Sequence, residues 1–188
     1  SGFNSWYTNK IDRLDIPSIK MSDGPNGVRG DSTSGKSSAC FPCAISIGST
    51  WDMDLINQLG VALGEEAKVK DVDVLLGPTI NIHRHPLGGR HFESFSEDPF
   101  LTGKIATEYV KGVQSQNVAA CLKHFVGNDT EYERHLVSSN IDEKTLREIY
   151  LLPFEMGVKE GNAQVVMSAY NKLNNIYCSS HKELLIDI

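Results

Sequence analysis

Residues 98–125 read DPFLTGKIATEYVKGVQSQNVAACLKHF, and two structural periods meet there. Asp98 precedes a proline, and proline at the first helical position costs no backbone hydrogen bond. Leu101, Ile105, Tyr109 and Val113 then recur at four-residue steps, the spacing that gathers apolar side chains on one helical face. The largely apolar run 118–125 follows, short enough for a strand and ending in the charged pair Lys123-His124. A helix feeding a buried strand with polar residues at its far end is half of a strand–helix–strand unit.

The same alternation extends in both directions. Upstream, residues 51–70 read as a helix, with Asp52 as cap and Leu55, Ile56, Leu59 and Leu63 as its apolar positions. Residues 72–76 form a buried-type strand ending at Gly77-Pro78. The short apolar run 18–21 ends at the turn signal Ser22-Asp23-Gly24-Pro25. Downstream, Asp142-Glu143-Lys144-Thr145 opens a helix running through Leu146, Ile149, Leu152 and Phe154, with Pro153 kinking or ending it. Residues 163–169 are the fourth strand, and residues 181–188 begin another helix.

Repeated strand–helix alternation means parallel strands joined by crossover helices. The expected fold is therefore α/β, a partial (β/α)8 TIM-type barrel with four strand–helix units in residues 1–188. A complete barrel takes about 250 residues, so the remaining units are expected elsewhere in the same polypeptide. Half a barrel leaves open strand edges that need covering. Polar residues follow each strand: Asp23 and Arg29, then Arg84 and Arg90, then Lys123, His124 and Asp129, then Tyr170 and Asn171. The C-terminal ends of barrel strands carry the active site.

Composition narrows the function classes. With 40% hydrophobic and 22% charged residues, the chain can build a core. A net charge of −6 with scattered Lys and Arg argues against a duplex nucleic-acid partner. No apolar run approaches the roughly 20 residues that cross a bilayer, so no membrane partner is expected. Ser1-Gly2-Phe3-Asn4 does not read as a secretion signal, which leaves the compartment open. Cys40 and Cys43 have CxxC spacing but lead into the uncapped apolar segment 44–47, and with Cys121 and Cys178 they read as free thiols. His83, His85 and His91 lack a third soft ligand and sit among arginines, so neither metal nor cofactor is expected.

Several residues have plain structural readings. Arg90 could pair with Glu93 or Glu97, and Arg84 could do the same. Asp98 or Ser96 would cap the helix, and the run 131–134 could be solvated charge. Met167 is by default a core methionine, and Tyr170 a half-buried tyrosine with a satisfied hydroxyl. Asn128-Asp129-Thr130 fits a glycosylation sequon but falls in the expected site loop, where modification is not expected.

Six segments in order carry a resemblance: DGPNGVRG at 23–30, LGPTINI at 76–82, PLGGRHFESFSEDP at 86–99, KHF at 123–125, LREIYLLPF at 146–154 and MSAYN at 167–171. Together they resemble the barrel domain of the family 3 glycoside hydrolases, most closely β-glucosidases of the fungal or yeast type. The resemblance implies retaining hydrolysis of terminal non-reducing β-D-glucosyl residues, with small β-glucosides as substrates. It implies that Asp23, Arg29, Arg90, Lys123, His124 and Arg134 bind sugar hydroxyls in the −1 subsite. Met167 and Tyr170 would line the pocket beside the nucleophile. Retention uses two carboxyl groups about 5–5.5 Å apart. The resemblance puts the nucleophilic aspartate beyond Ile188 and the acid/base further on, so this segment alone is expected to be inactive, with Tyr170 in a supporting role.

The residue types suit a polyol: carboxylates accept, Lys and Arg donate, and His does either. Lys123 beside His124 should also keep the imidazole neutral near pH 7. Other readings are a β-xylosidase or N-acetylglucosaminidase relative, a non-catalytic carbohydrate-binding or structural barrel fragment, and a phosphate-binding barrel.

Overall fold

The computed structural model describes residues 2–30 and 36–188. In chain order the elements are β1 (Met21–Asp23), α1 (Ala44–Gly48), α2 (Met53–Val69), β2 (Val74–Leu76), α3 (Pro99–Gln114) and β3 (Ala119–Phe125). They continue with β4 (Ser138–Ser139), α4 (Glu143–Thr145), α5 (Leu152–Lys159), β5 (Val165–Ser168), β6 (Lys172–Leu173) and β7 (Ile176–Tyr177). The main sheet is four-stranded in the order β1-β2-β3-β5. Every neighbouring pair in it is parallel. Each strand lies beside its predecessor in this sheet, the order of one arc of a (β/α) barrel.

The helices form where the apolar spacing and caps require. The Asp52 carboxylate accepts from the Leu55 amide at 3.0 Å and starts α2. Asp98 accepts from Phe100 and Leu101 and starts α3, with Pro99 at its first turn. Ile105, Tyr109 and Val113 of α3 are buried, as are Ile56 and Leu63 of α2. Leu55 falls outside the buried face and is about half exposed. The two helices approach backbone to backbone at Gly60 and Gly112. A Cβ on Gly112 would stand 2.3 Å from the Asn57 carbonyl oxygen, and one on Gly60 would stand 2.6 Å from that of Tyr109.

The structure departs from the sequence expectation in five places. The first strand is residues 21–23 and not 18–21, because Tyr7 bridges Lys20 and the Thr8 amide bonds to the Ile19 carbonyl. Residues 44–47 belong to the short helix α1, although no side chain caps it. The expected third helix is a composite: α4, a π turn over Leu146–Tyr150, then α5, with Pro153 in the first turn of α5. Proline cannot donate, so it is tolerated where a helical segment starts and its amide is not needed. Residues 183–187 likewise form a π turn. The small sheet β4-β6-β7 was not expected. Its strands have two residues each, too short for any periodicity.

All four cysteines are free, with Cys121 and Cys178 buried. No helix among the described residues is long and apolar enough to cross a membrane.

Candidate functional site

Each site residue sits where a strand of the main sheet gives way to its loop. Asp23 is the last residue of β1 and Lys123 lies near the end of β3, 100 residues later. Lys123 Nζ donates to Asp23 Oδ1 at 2.9 Å, spanning β2 between them. The lysine side chain is 4% exposed and the aspartate 38%. Burial works to raise the Asp23 carboxyl, but Lys123, the Gly24 amide and then Arg29 outweigh it and hold the group below its ordinary range. Arg29 is exposed on the loop leaving β1.

The register between β3 and β5 slips between Lys123 and Phe125. An irregularity of this kind re-aims side chains at a strand end, and here Lys123 and its neighbour His124 are both buried. The Lys123–His124 peptide is cis. Asn81, in the loop after β2, holds the histidine from both sides. Its Oδ1 accepts from the His124 amide at 3.0 Å and lies 3.3 Å from Nδ1, while its Nδ2 donates to the His124 carbonyl at 2.9 Å. Burial first, then the charges of Arg90 and Lys123, push the imidazole down to about 3. Asp23 opposes that shift and Arg134 adds to it, so four predicted site charges act on one ring. The imidazole is neutral at pH 7, as expected.

Arg90 pairs in a fork with Glu93, with Nε and Nη2 at 2.9 and 2.8 Å from the two carboxylate oxygens. Its structural reading and its site position coexist, because the charge of Glu131 also acts on it. Arg134 donates to Glu131 at 3.0 Å and lies 5.0 Å from the Tyr170 ring centroid. Tyr170 also stacks with His124 at 6.1 Å and meets His135 edge-on at 4.9 Å. Met167 is half-buried in β5, in register with Lys123. Asp23, Lys123, His124 and Met167 lie in strands of the main sheet, Arg29 and Tyr170 shortly after β1 and β5, and Arg90 and Arg134 further along the loops after β2 and β3.

Arg84 does not pair with Glu93 or Glu97. Its charge acts on Asp129 and Tyr150, and Tyr150 also shares a hydrogen bond with it. The sequence reading passed over Asn81, whose signal was a lone amide inside the apolar run Thr79-Ile80-Asn81-Ile82. It also passed over Glu131 as a partner and gave Asp129 no role. Asp129 is 7% exposed, and neither carboxylate oxygen has a hydrogen-bond partner among the described residues. Burial raises it to about 7 against the pull of Arg84. Asn128 of the sequon is buried.

The polar cluster presents an ionised carboxylate, a buried ammonium, guanidinium groups and a neutral imidazole, the donor and acceptor set that a polyhydroxyl ligand needs. Among the described residues no three of His, Cys, Asp and Glu gather as a metal ion requires. A larger hollow than the space beside His124 lies elsewhere among the described residues. It has about 760 Å³, and Phe125, Leu151, Phe154, Val158, Val166 and Leu184 line it beside β5. It is mostly apolar and opens along β5, which has no further strand on that side among the described residues.

The profile of the Glycosyl hydrolase family 3 N terminal domain matches residues 4–188. The chain belongs to glycosyl hydrolase family 3. Among its family 3 relatives, a β-glucosidase of Rhizobium radiobacter is 55% identical over 190 residues, covering 100% of this chain and 23% of the relative. The crystal structure of a β-glucosidase from Kluyveromyces marxianus superposes with a TM-score of 0.97 at 49% identity, over 100% of this chain and 23% of that one. A glucose complex of the Kluyveromyces marxianus β-glucosidase matches with a TM-score of 0.94 at 50% identity, over 97% and 22%. The chain thus spans about a quarter of the length of the curated relatives it matches.

Proposed function

We propose that these residues form the first part of the barrel domain of a retaining β-glucosidase and supply its −1 subsite. Asp23, Arg29, Arg90, Lys123, His124 and Arg134 bind the hydroxyls of the terminal β-D-glucosyl unit, and Met167 and Tyr170 line the pocket beside the nucleophile. The nucleophile and the acid/base come from the rest of the polypeptide, which is also the chain's main partner. The observation that carries this reading is the 2.9 Å Asp23–Lys123 ion pair, set in the same field as Arg90, Arg134 and His124. Charged groups of both signs around a neutral imidazole suit a ligand that both donates and accepts. The glucose complex of the Kluyveromyces marxianus enzyme supports the choice of sugar.

A supporting role for Tyr170 is consistent with its surroundings. Arg134 lies over its ring and His135 at its edge, just after β5. From there the hydroxyl can donate to a carboxylate and hold it ionised.

The test is made on the full-length protein with an aryl β-glucoside. Asp23→Asn keeps the shape of the side chain but removes its charge. It should lower kcat/KM by about 10- to 100-fold, the worth of a hydrogen bond to a charged group. Unchanged kinetics would remove Asp23 from the subsite. A purely carbohydrate-binding protein would instead bind glucose through the same residues with no turnover in the wild type.

A further inference from the structure

The loop leaving β1 follows Asp23 and carries Arg29, and one turn of α2 grips it from behind. The Val28 amide donates to Glu66 Oε2 at 2.8 Å, and the Ala39 amide donates to Oε1 at 2.7 Å. Lys70, one turn along, donates from Nζ to the Val28 carbonyl, to Ser38 Oγ at 2.6 Å and to Glu66 at 3.1 Å. Ser38 Oγ donates to the same Val28 carbonyl at 2.7 Å. The lysine side chain is 3% exposed and the glutamate 15%. Gly30 rests on the lysine stem, where a Cβ would stand 2.8 Å from Lys70 Cδ.

The Val28 carbonyl and the Arg29 amide belong to one peptide unit. Lys70 and Ser38 hold its oxygen, while its N–H donates to the Asp23 carbonyl at 2.9 Å. A single rigid plane therefore links α2 to the backbone of Asp23 and carries the Cα of Arg29. Taking a Lys–Glu pair out of water is costly, and an apolar pair would often serve stability as well. Here both carboxylate oxygens are used on loop amides, which an apolar side chain cannot do.

We propose that Glu66 and Lys70 are positioning residues for the sugar site. They fix the peptide between Val28 and Arg29 and so set the placement of the Asp23 carboxylate relative to the Arg29 guanidinium. The proposal rests on the reading of Asp23 as a sugar-binding residue.

The experiment is a double-mutant cycle in the full-length protein, with kcat/KM on an aryl β-glucoside and the inhibition constant of glucose as readouts. Glu66→Gln keeps one acceptor and loses the other. It should cost roughly 10-fold in kcat/KM, with a matching rise in the glucose inhibition constant. In the Asp23→Asn background the same change should cost less than about 3-fold, because coupled residues are non-additive. An equal loss in both backgrounds, or no loss in either, overturns the proposal. If Glu66→Gln does not fold, Ser38→Ala removes one support of the Val28 carbonyl at an exposed position. It should cost about 3-fold alone and nothing further beside Asp23→Asn. Additive or absent effects there overturn the proposal equally. If Asp23→Asn itself is silent, the sugar-site reading fails first. If it is costly and the cycle is additive, only the positioning role fails.

Discussion

At the scale of single residues, the site is governed by which charges are paired. Lys123 is almost wholly enclosed and has one carboxylate partner among the described residues, Asp23. Removing that partner outright leaves an enclosed ammonium uncompensated, at a cost of roughly 3–5 kcal/mol. Asp23→Ala and Asp23→Asn both remove the counter-charge and should lose stability as well as activity, Asp23→Asn the less because its amide oxygen can still accept from Lys123. Melting curves of the two full-length variants separate the effects. His124 and Asp129 titrate in opposite senses. The His124 imidazole is held down to about 3, so between that value and about 6.5 only the unfolded chain binds its proton, and stability rises with pH. An NMR titration should find His124 neutral at pH 5, and a protonated ring there would contradict the geometry. Asp129 is raised to about 7, so from about pH 4 to 7 only the folded chain keeps its proton, and stability falls as pH rises. Asp129→Asn should remove that fall and raise the melting temperature at pH 8, the difference shrinking below pH 4. A constant difference across that range would mean Asp129 does not titrate there.

At the scale of elements, legibility followed length. The helices α2 and α3 have 17 and 16 residues, enough turns for their apolar stripe and Asp caps to be read. The main strands were legible because their apolar runs end in turn signals or in polar residues. β4, β6 and β7 offered nothing to read, since two residues cannot show an alternation. The proposed site residues were named through family motifs, and the signal Ser22-Asp23-Gly24-Pro25 on its own indicated only a turn. The holders of the site residues were not legible. Glu66 and Lys70 look like any i,i+4 pair on a helix surface until Val28, Ser38 and Ala39 bond to them. The crossing of α2 and α3 yields a prediction of its own. Gly112→Ala gains about 1 kcal/mol of helix propensity but drives a methyl to 2.3 Å from the Asn57 carbonyl. Overpacking costs of roughly 1–3 kcal/mol, and more against rigid backbone, should win. The full-length variant should melt lower than wild type, and an unchanged melting temperature would show that the helices can part freely.

At the scale of the whole molecule, the four parallel strands form an arc, and among the described residues one flank of β5 is unpaired, with the 760 Å³ apolar hollow beside it. The next strand–helix unit of the barrel is the proposed occupant, since exposed strand edges beside apolar surface invite pairing. The isolated segment should therefore bind an apolar dye and self-associate, while the full-length protein should do neither. A dye-silent monomeric segment would show that the flank needs no cover.

The ion pair between residues 23 and 123 also has a consequence for the order of biosynthesis. Its acidic member leaves the ribosome first and waits while a hundred residues are added. A nascent chain released before its lysine emerges carries the carboxylate without its counter-ion, however well the first strands have docked. Stalled chains of increasing length should therefore gain affinity for sugar in a step, at the length that frees the lysine, and not gradually.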